Sequence, residues 1–182
     1  MSVTRGLWVV TSTAVVYFFA CKVNDLLFAS IGYAAGVHWV FLPSGLRLVF
    51  VLVFGWLGAL GIALASFVIA SPWSSQLGLL DCAVTGFISG FAPLLARAIS
   101  IYGLGLRANL EGLTGLTLLK TALVFAVISP VLHQLWYTWN RDTQEFLANT
   151  SVMIVGDLLG TLIVLYLGKH GIEWLTGKFP KN

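Results

Sequence analysis

Charged residues are scarce in this chain of 182 residues, and their scarcity excludes a water-soluble fold. Only 9% of the residues are Asp, Glu, Lys or Arg, whereas 58% are hydrophobic. Soluble domains carry about 25% charged and about 45–50% apolar residues. Because a chain of this size cannot bury so much apolar surface in one core, we expect lipid to solvate its outer faces. The composition therefore predicts a membrane protein whose first partner is the lipid bilayer.

Basic runs and catalytic signatures are also missing. The net charge of +3 comes from ten basic and seven acidic residues spread along the chain, so it indicates membrane orientation and no binding of nucleic acid. There is no HExxH, GxSxG or Walker loop, and no cluster with metal-ligand spacing. We therefore expect no catalysis and no metal, and the sequence leaves any cofactor unknown.

Cysteine and histidine are rare too. The two cysteines, Cys21 and Cys82, lie in apolar surroundings without a CxxC, which is typical of small buried hydrophobic residues. The three histidines, His38, His133 and His170, lie far apart in the sequence. A lone histidine near a helix end is more often an interfacial residue than a ligand, and we expect that role here.

Long apolar segments dominate what remains. They predict an all-α bundle of about six transmembrane helices in a single domain over residues 1–182. At about 1.5 Å per residue most of them approach the roughly 30 Å of the hydrocarbon core, whereas residues 44–54 reach only about 17 Å. That second helix should be short or re-entrant. The predicted helices are 7–29, 44–54, 56–71, 77–100, 113–138 and 147–168, and we expect an interfacial turn over 169–174.

The stretch from Trp39 to Ala70 can be one helix or two helices broken at Gly55. Cytoplasmic loops carry the excess of Lys and Arg, and both ends of the chain and the 101–112 loop are basic. These segments therefore belong on one side, which requires an even number of crossings and favours the break. We expect a multi-pass protein of the bacterial cytoplasmic (inner) membrane with both termini in the cytoplasm. The basic residues are Arg5, Arg97, Arg107, Lys169, Lys178 and Lys181.

Charges at membrane depth mark the candidate site, because such side chains usually face a bundle interior or water. Arg47 is expected near the outer mouth of the short helix, and it could pair with Asp157 or with Asp81. Such a pair could only fix the register of helices, or it could contact a ligand. Trp39 and Pro43 are further ligand-binding candidates, since broken helices often frame binding sites.

Small residues recur at helix-packing spacings, which let two helices approach closely. The residues expected to act in this way are Gly55, Gly86, Gly90, Gly156 and Gly160.

These features together resemble the first type of membrane-associated sensor domain, the MASE family of bacterial signalling proteins. The family's W-P-P-A-G is similar to F-L-P-S-G over Phe41–Gly45, and its Gly-Asp motif is similar to G-D-L-L-G over Gly156–Gly160. The family's Asn-x-x-Glu motif is absent, because the corresponding stretch reads F-I-S-G-F-A-P-L-L-A-R. Family members usually signal to a cytoplasmic cyclase, phosphodiesterase or kinase domain. Since this chain ends soon after its last helix, the resemblance implies signalling through a membrane or cytoplasmic protein partner.

Three functions are compatible with these observations. The first is a sensory or ligand-binding module that acts through a partner protein. The second is substrate binding for a small-molecule transporter, because a small bundle with a short second helix also resembles the S components of energy-coupling-factor transporters. The third is an accessory structural subunit of a larger membrane complex.

Overall fold

The computed structural model describes residues 2–34, 36–71, 78–141 and 145–177. These residues form an all-α membrane bundle, as predicted, with one short antiparallel β-hairpin of β1 (Gly32–Ala34) and β2 (Val37–His38). Four helices, α1, α4, α5 and α6, are long and apolar enough to cross a membrane. The helices are α1 (Val3–Phe28), α2 (Pro43–Phe54), α3 (Trp56–Ala70), α4 (Leu79–Gly103), α5 (Gly115–Arg141) and α6 (Phe146–Leu175).

The break at Gly55 is confirmed. Its φ of 59° and ψ of −132° end α2 and start α3, and this conformation suits glycine because glycine has no Cβ. The chain then folds back, so that a Cβ at Gly58 would collide with the carbonyl of Phe50. With 12 residues, α2 is the short helix of the bundle.

The short helix α2 lies inside the bundle. It packs against α1, α3, α4 and α6. Around it, α1 contacts α3, α3 contacts α4, α4 contacts α5, and α5 contacts α6. Leu48 and Val51 of α2 are fully buried, and each belongs to a different apolar cluster. Because α2 contributes to both clusters, it holds the two sides of the bundle together.

Glycines allow close contacts that fix the positions of α4 and α6 against their neighbours. Cβ atoms at Gly86 and Gly90 of α4 would collide with carbonyls of α3, and Cβ atoms at Gly156 and Gly160 of α6 would collide with the carbonyls of His38 and Phe41. Gly55, in contrast, has no such neighbour within 4 Å among the described residues. Its place in the fold follows from its backbone conformation.

One local prediction is wrong, and others concern residues that the structure does not describe. Residues 169–174 do not form a turn, because α6 continues as a helix to Leu175. Lys169 and Glu173 stand one helical turn apart there, with 3.8 Å between Nζ and Oε1, a spacing that supports a helix. The segment 72–76 between the predicted helices 56–71 and 77–100, and the basic residues Lys178 and Lys181, lie outside the described residues.

Candidate functional site

A cavity of about 410 Å³ lies between the helices and reaches the β-hairpin. Its volume falls within the range of about 300–1,000 Å³ that is usual for small-molecule sites. Helices α1 to α6 all contribute residues to its wall. The polar lining residues include Tyr17, His38, Arg47, Ser89, His133 and Asp157.

Arg47 is held by two neighbouring helices. Its Nε donates to the carbonyl of Ser89 at 3.0 Å, and its Nη1 donates to Oγ of Ser129 at 3.1 Å. The guanidinium carbon lies 5.2 Å from the ring centre of Phe125, within the range of a cation–π contact. The third nitrogen, Nη2, is buried and has no hydrogen-bond partner among the described residues.

Arg47 lies deeper than the outer mouth at which the sequence places it. Its partner Ser89 is the eleventh of the 25 residues of α4, and Ser129 is the fifteenth of the 27 residues of α5. The reason is that the chain runs inward along α6 before α2 begins. The backbone N–H of Phe41 already donates to the carbonyl of Gly156 at 3.1 Å, near the middle of the fold.

Asp157 reaches the same cavity from α6. Its backbone carbonyl and that of Phe41 lie 2.7 Å and 2.8 Å from Oγ of Ser44, which can donate its hydrogen to either. Thr161 Oγ1 lies 3.1 Å from the same Ser44 oxygen. The start of α2 is thus fixed to α6 immediately beside Asp157.

Arg47 and Asp157 do not form the direct ion pair that the sequence allows. Both line the cavity, and only 3% and 2% of their surfaces are exposed. Within the described ranges, however, no cationic nitrogen lies within 4.0 Å of the Asp157 carboxylate. The carboxylate oxygen Oδ2 is buried without a hydrogen-bond partner there. The two opposite charges therefore face one cavity without neutralising each other in direct contact.

Asp81 pairs with Arg141, so the alternative Arg47–Asp81 pair is wrong. Nε of Arg141 lies 2.8 Å from Oδ2 of Asp81, and Nε1 of Trp136 donates to Oδ1 at 2.7 Å. The Arg141 guanidinium also stacks 3.9 Å from the centre of the Tyr137 ring. Arg141 and Tyr137 line the cavity while Asp81 does not. This pair closes the end of the bundle where α4 begins and α5 ends.

The interfacial role expected for His133 is also wrong, because His133 is buried in the wall of the cavity. Its Nδ1 lies 2.8 Å from the carbonyl of Ser129, which can only accept a hydrogen bond. In the neutral ring Nε2 is then an acceptor, 3.3 Å from Oγ of Ser89. His38 lines the same cavity, whereas His170 lies 3.0 Å from Glu173 near the far end of α6.

Two other candidates do not line the cavity. Trp39 is partly exposed and packs edge-to-face on Tyr33, with 5.8 Å between ring centres. Pro43 is the buried first residue of α2. Both shape the segment that leads to Arg47 without contacting the cavity.

Several residues that line the cavity were not predicted from the sequence, although the spacing of polar residues in α4 and α5 indicates them. Thr85 and Ser89 are four residues apart in α4, and Ser129 and His133 are four apart in α5. Residues at this spacing share one face of a helix, so each apolar helix carries a polar stripe. Following such stripes would have found Ser89 and His133.

The fold and the site together define a polytopic membrane protein with a ligand-sized cavity between its helices. The family model MASE1 matches residues 9–180, nearly the whole chain. The chain therefore belongs to the MASE1 family, and it is a membrane-associated sensor domain, as the resemblance predicted. No curated protein and no solved structure matches the chain.

Proposed function

We propose that the chain detects a small molecule in its cavity and passes the signal to a partner protein, without catalysis of its own. Family membership supports the sensory role, and the cavity wall supports the ligand. Buried polar groups are normally hydrogen-bonded, because leaving them unpaired costs free energy. Arg47 and Asp157 line the cavity, and Nη2 of Arg47 and Oδ2 of Asp157 are buried without a hydrogen-bond partner among the described residues. A bound molecule that satisfies them gains those hydrogen bonds.

The route of the signal follows from the position of Asp157. The residue is buried beside the junction of α2 and α6, and α6 continues to Leu175. At about 1.5 Å per residue the part after Asp157 is about 27 Å long. A shift of α6 caused by the ligand would therefore be felt at the opposite end of the bundle, where we place the contact with the partner.

The proposed orientation puts both ends of the chain on the cytoplasmic side of a bacterial inner membrane. The helix hairpin at Gly55 supports it, because an even number of crossings brings Arg5 and Lys169 to one side with the loop that holds Arg107. Cysteines placed at each terminus would test it by labelling with an impermeant reagent in intact cells. Labelling of one terminus alone would contradict the proposed topology.

Ligand binding is tested by thermal unfolding of the detergent-purified chain against a library of small molecules. Ser66 of α3 lines the cavity, whereas Leu64 of the same helix is exposed. Compounds that raise the unfolding midpoint should do so in the wild type and in Leu64→Phe but not in Ser66→Phe, whose ring fills the cavity. Gel filtration shows whether both variants are folded. Equal shifts in all three proteins, or no shift in any, would overturn the proposal.

Purification from native membranes tests the partner. A signalling protein that remains bound to the wild type and responds to the stabilising compound supports the proposed function. A pair of ATPases bound to the chain would instead indicate transport. A constitutive large complex that ignores every compound would indicate a structural subunit.

A further inference from the structure

We infer that the cavity takes a zwitterion, that is, a small molecule with one carboxylate, one ammonium group and an apolar body. This inference rests on the proposed function and names the class of ligand. It follows from the charges that face the cavity, from how rigidly they are held, and from the side chains between them.

The charged groups that face the deep part of the cavity balance each other. Arg47 contributes one positive charge and Asp157 one negative charge. Arg141 is neutralised by Asp81 at 2.8 Å, and His38 and His133 are the other basic groups of the wall. An anion without an ammonium group would leave the buried Asp157 carboxylate uncompensated, and a cation without a carboxylate would do the same to Arg47. Uncompensated buried charge is strongly unfavourable, so the fitting occupant has no net charge. A zwitterion can in addition form a charge-assisted hydrogen bond with each of the two groups, which is stronger than a neutral one.

The two charged groups do not contact each other directly, although Ser129, which accepts a hydrogen bond from Arg47 Nη1, also lies beside Asp157. Two hydrogen bonds and the Phe125 ring fix the Arg47 guanidinium. On the other side, Ser44 binds the backbone of Asp157, and Gly160 holds α6 against Phe41. Moving Asp157 towards Arg47 would require separating α6 from the start of α2. The helices therefore hold one donor and one acceptor, Arg47 Nη2 and Asp157 Oδ2, without a hydrogen-bond partner among the described residues.

The rest of the wall suits an apolar body. Tyr17, Phe41, Ile69, Tyr137 and Met153 line the cavity around the charged pair. Aromatic and aliphatic walls with a few placed polar groups are usual for small-molecule sites. Asp25 adds a further negative charge to the wall from an exposed position, which favours an ammonium group over a second carboxylate.

The test uses matched sets of probes that share one apolar body. Leucine is compared with 4-methylpentanoate, which lacks the ammonium group, and with isopentylamine, which lacks the carboxylate. Phenylalanine, 3-phenylpropionate and 2-phenylethylamine form a larger set. Calorimetry on the detergent-purified chain should show at least one zwitterion binding about tenfold or more tightly than either of its matched ions, because each charged hydrogen bond contributes that much.

Variants assign the two ends of the ligand. In Arg47→Gln the zwitterion should bind no better than its matched amine, and in Asp157→Asn no better than its matched acid. Leu64→Phe should retain the wild-type order. If Arg47→Gln does not fold, the inference is still tested by Asp157→Asn and by the order of probe affinities in the wild type.

The outcomes separate this inference from the proposed function. A matched ion that binds as tightly as its zwitterion overturns the zwitterion while the cavity remains a ligand site. The same holds if library compounds bind in the cavity and neither probe set does. If neither the library nor the probe sets bind, both proposals fail.

Discussion

The two ends of α2 lie in different surroundings. At its N-terminal end, Ser44 and Arg47 bind carbonyl and hydroxyl groups of three other helices. One turn later, Leu48 and Leu52 are buried in an apolar cluster with Phe125. Phe125 belongs to both regions, because its ring face also receives the Arg47 guanidinium. One short helix thus has a polar end that lines the cavity and an apolar end that is packed among buried side chains.

This difference suggests a division of roles. Lipid tails are as apolar as the helix surfaces, so helix association in a membrane depends mainly on close packing. We therefore expect the packed end and the glycine contacts to provide most of the stability. The cavity end should provide ligand binding and contribute less to stability. Three substitutions test this comparison, from the largest expected effect to the smallest.

Gly160→Leu should break the junction between the two ends. A side chain at this position would collide with the backbone of Phe41 and Leu42. Overpacking costs about 1–3 kcal/mol or more even where side chains can adjust, and a carbonyl cannot move aside easily. We expect a loss of about 3 kcal/mol or failure to fold, measured by gel filtration and thermal unfolding. The control is Gly168→Leu on the same helix, where nothing described lies within 4 Å, and equal effects at both positions would contradict this role.

Phe125→Ala should test the packed end. The residue is completely buried, and a large-to-small change at such a site costs about 3–5 kcal/mol in soluble proteins. We expect about 3 kcal/mol, because loss of packing remains in a membrane while part of the transfer term disappears. Phe87→Ala is the control, since Phe87 is exposed on α4. If the two variants unfold at the same temperature, the packed end is not the source of stability.

Asp81→Asn should have the smallest effect of the three. The carboxylate accepts hydrogen bonds from Arg141 and Trp136, and losing its charge weakens both. Because Arg141 is partly exposed to solvent, we expect a cost of only about 1–2 kcal/mol. Glu173→Gln, which removes an acid that pairs with the exposed Lys169, should cost about 0.5 kcal/mol or less. A loss above that of Phe125→Ala would contradict the expectation that close packing provides most of the stability.

The sequence predicted where the helices lie in the chain better than it predicted which helices pack against each other. The break at Gly55 followed from the distribution of Lys and Arg, because topology in a membrane responds to charge outside it. The Asp81–Arg141 pair could not be found in the same way. Its members are 60 residues apart, and apolar segments do not encode which helices lie side by side.

The depth of Arg47 shows the second limit. Counting residues from Pro43 places Arg47 one turn into its helix, which is correct, but it does not show where that helix begins. The starting depth depends on contacts of Phe41 and Ser44 with α6. Such contacts depend on a glycine pair that sequence spacing suggests but cannot assign to a partner.

The conformation of Gly55 also has a consequence for how membrane topology is counted. A hydropathy window of about 19 residues moved over residues 43–70 meets apolar residues on both sides of a single glycine. It would record one maximum where the chain turns back on itself. Counting that maximum as one crossing would exchange the sides assigned to every later loop. The difference between the two topologies therefore depends on the backbone torsion of one residue, which a hydropathy profile does not detect.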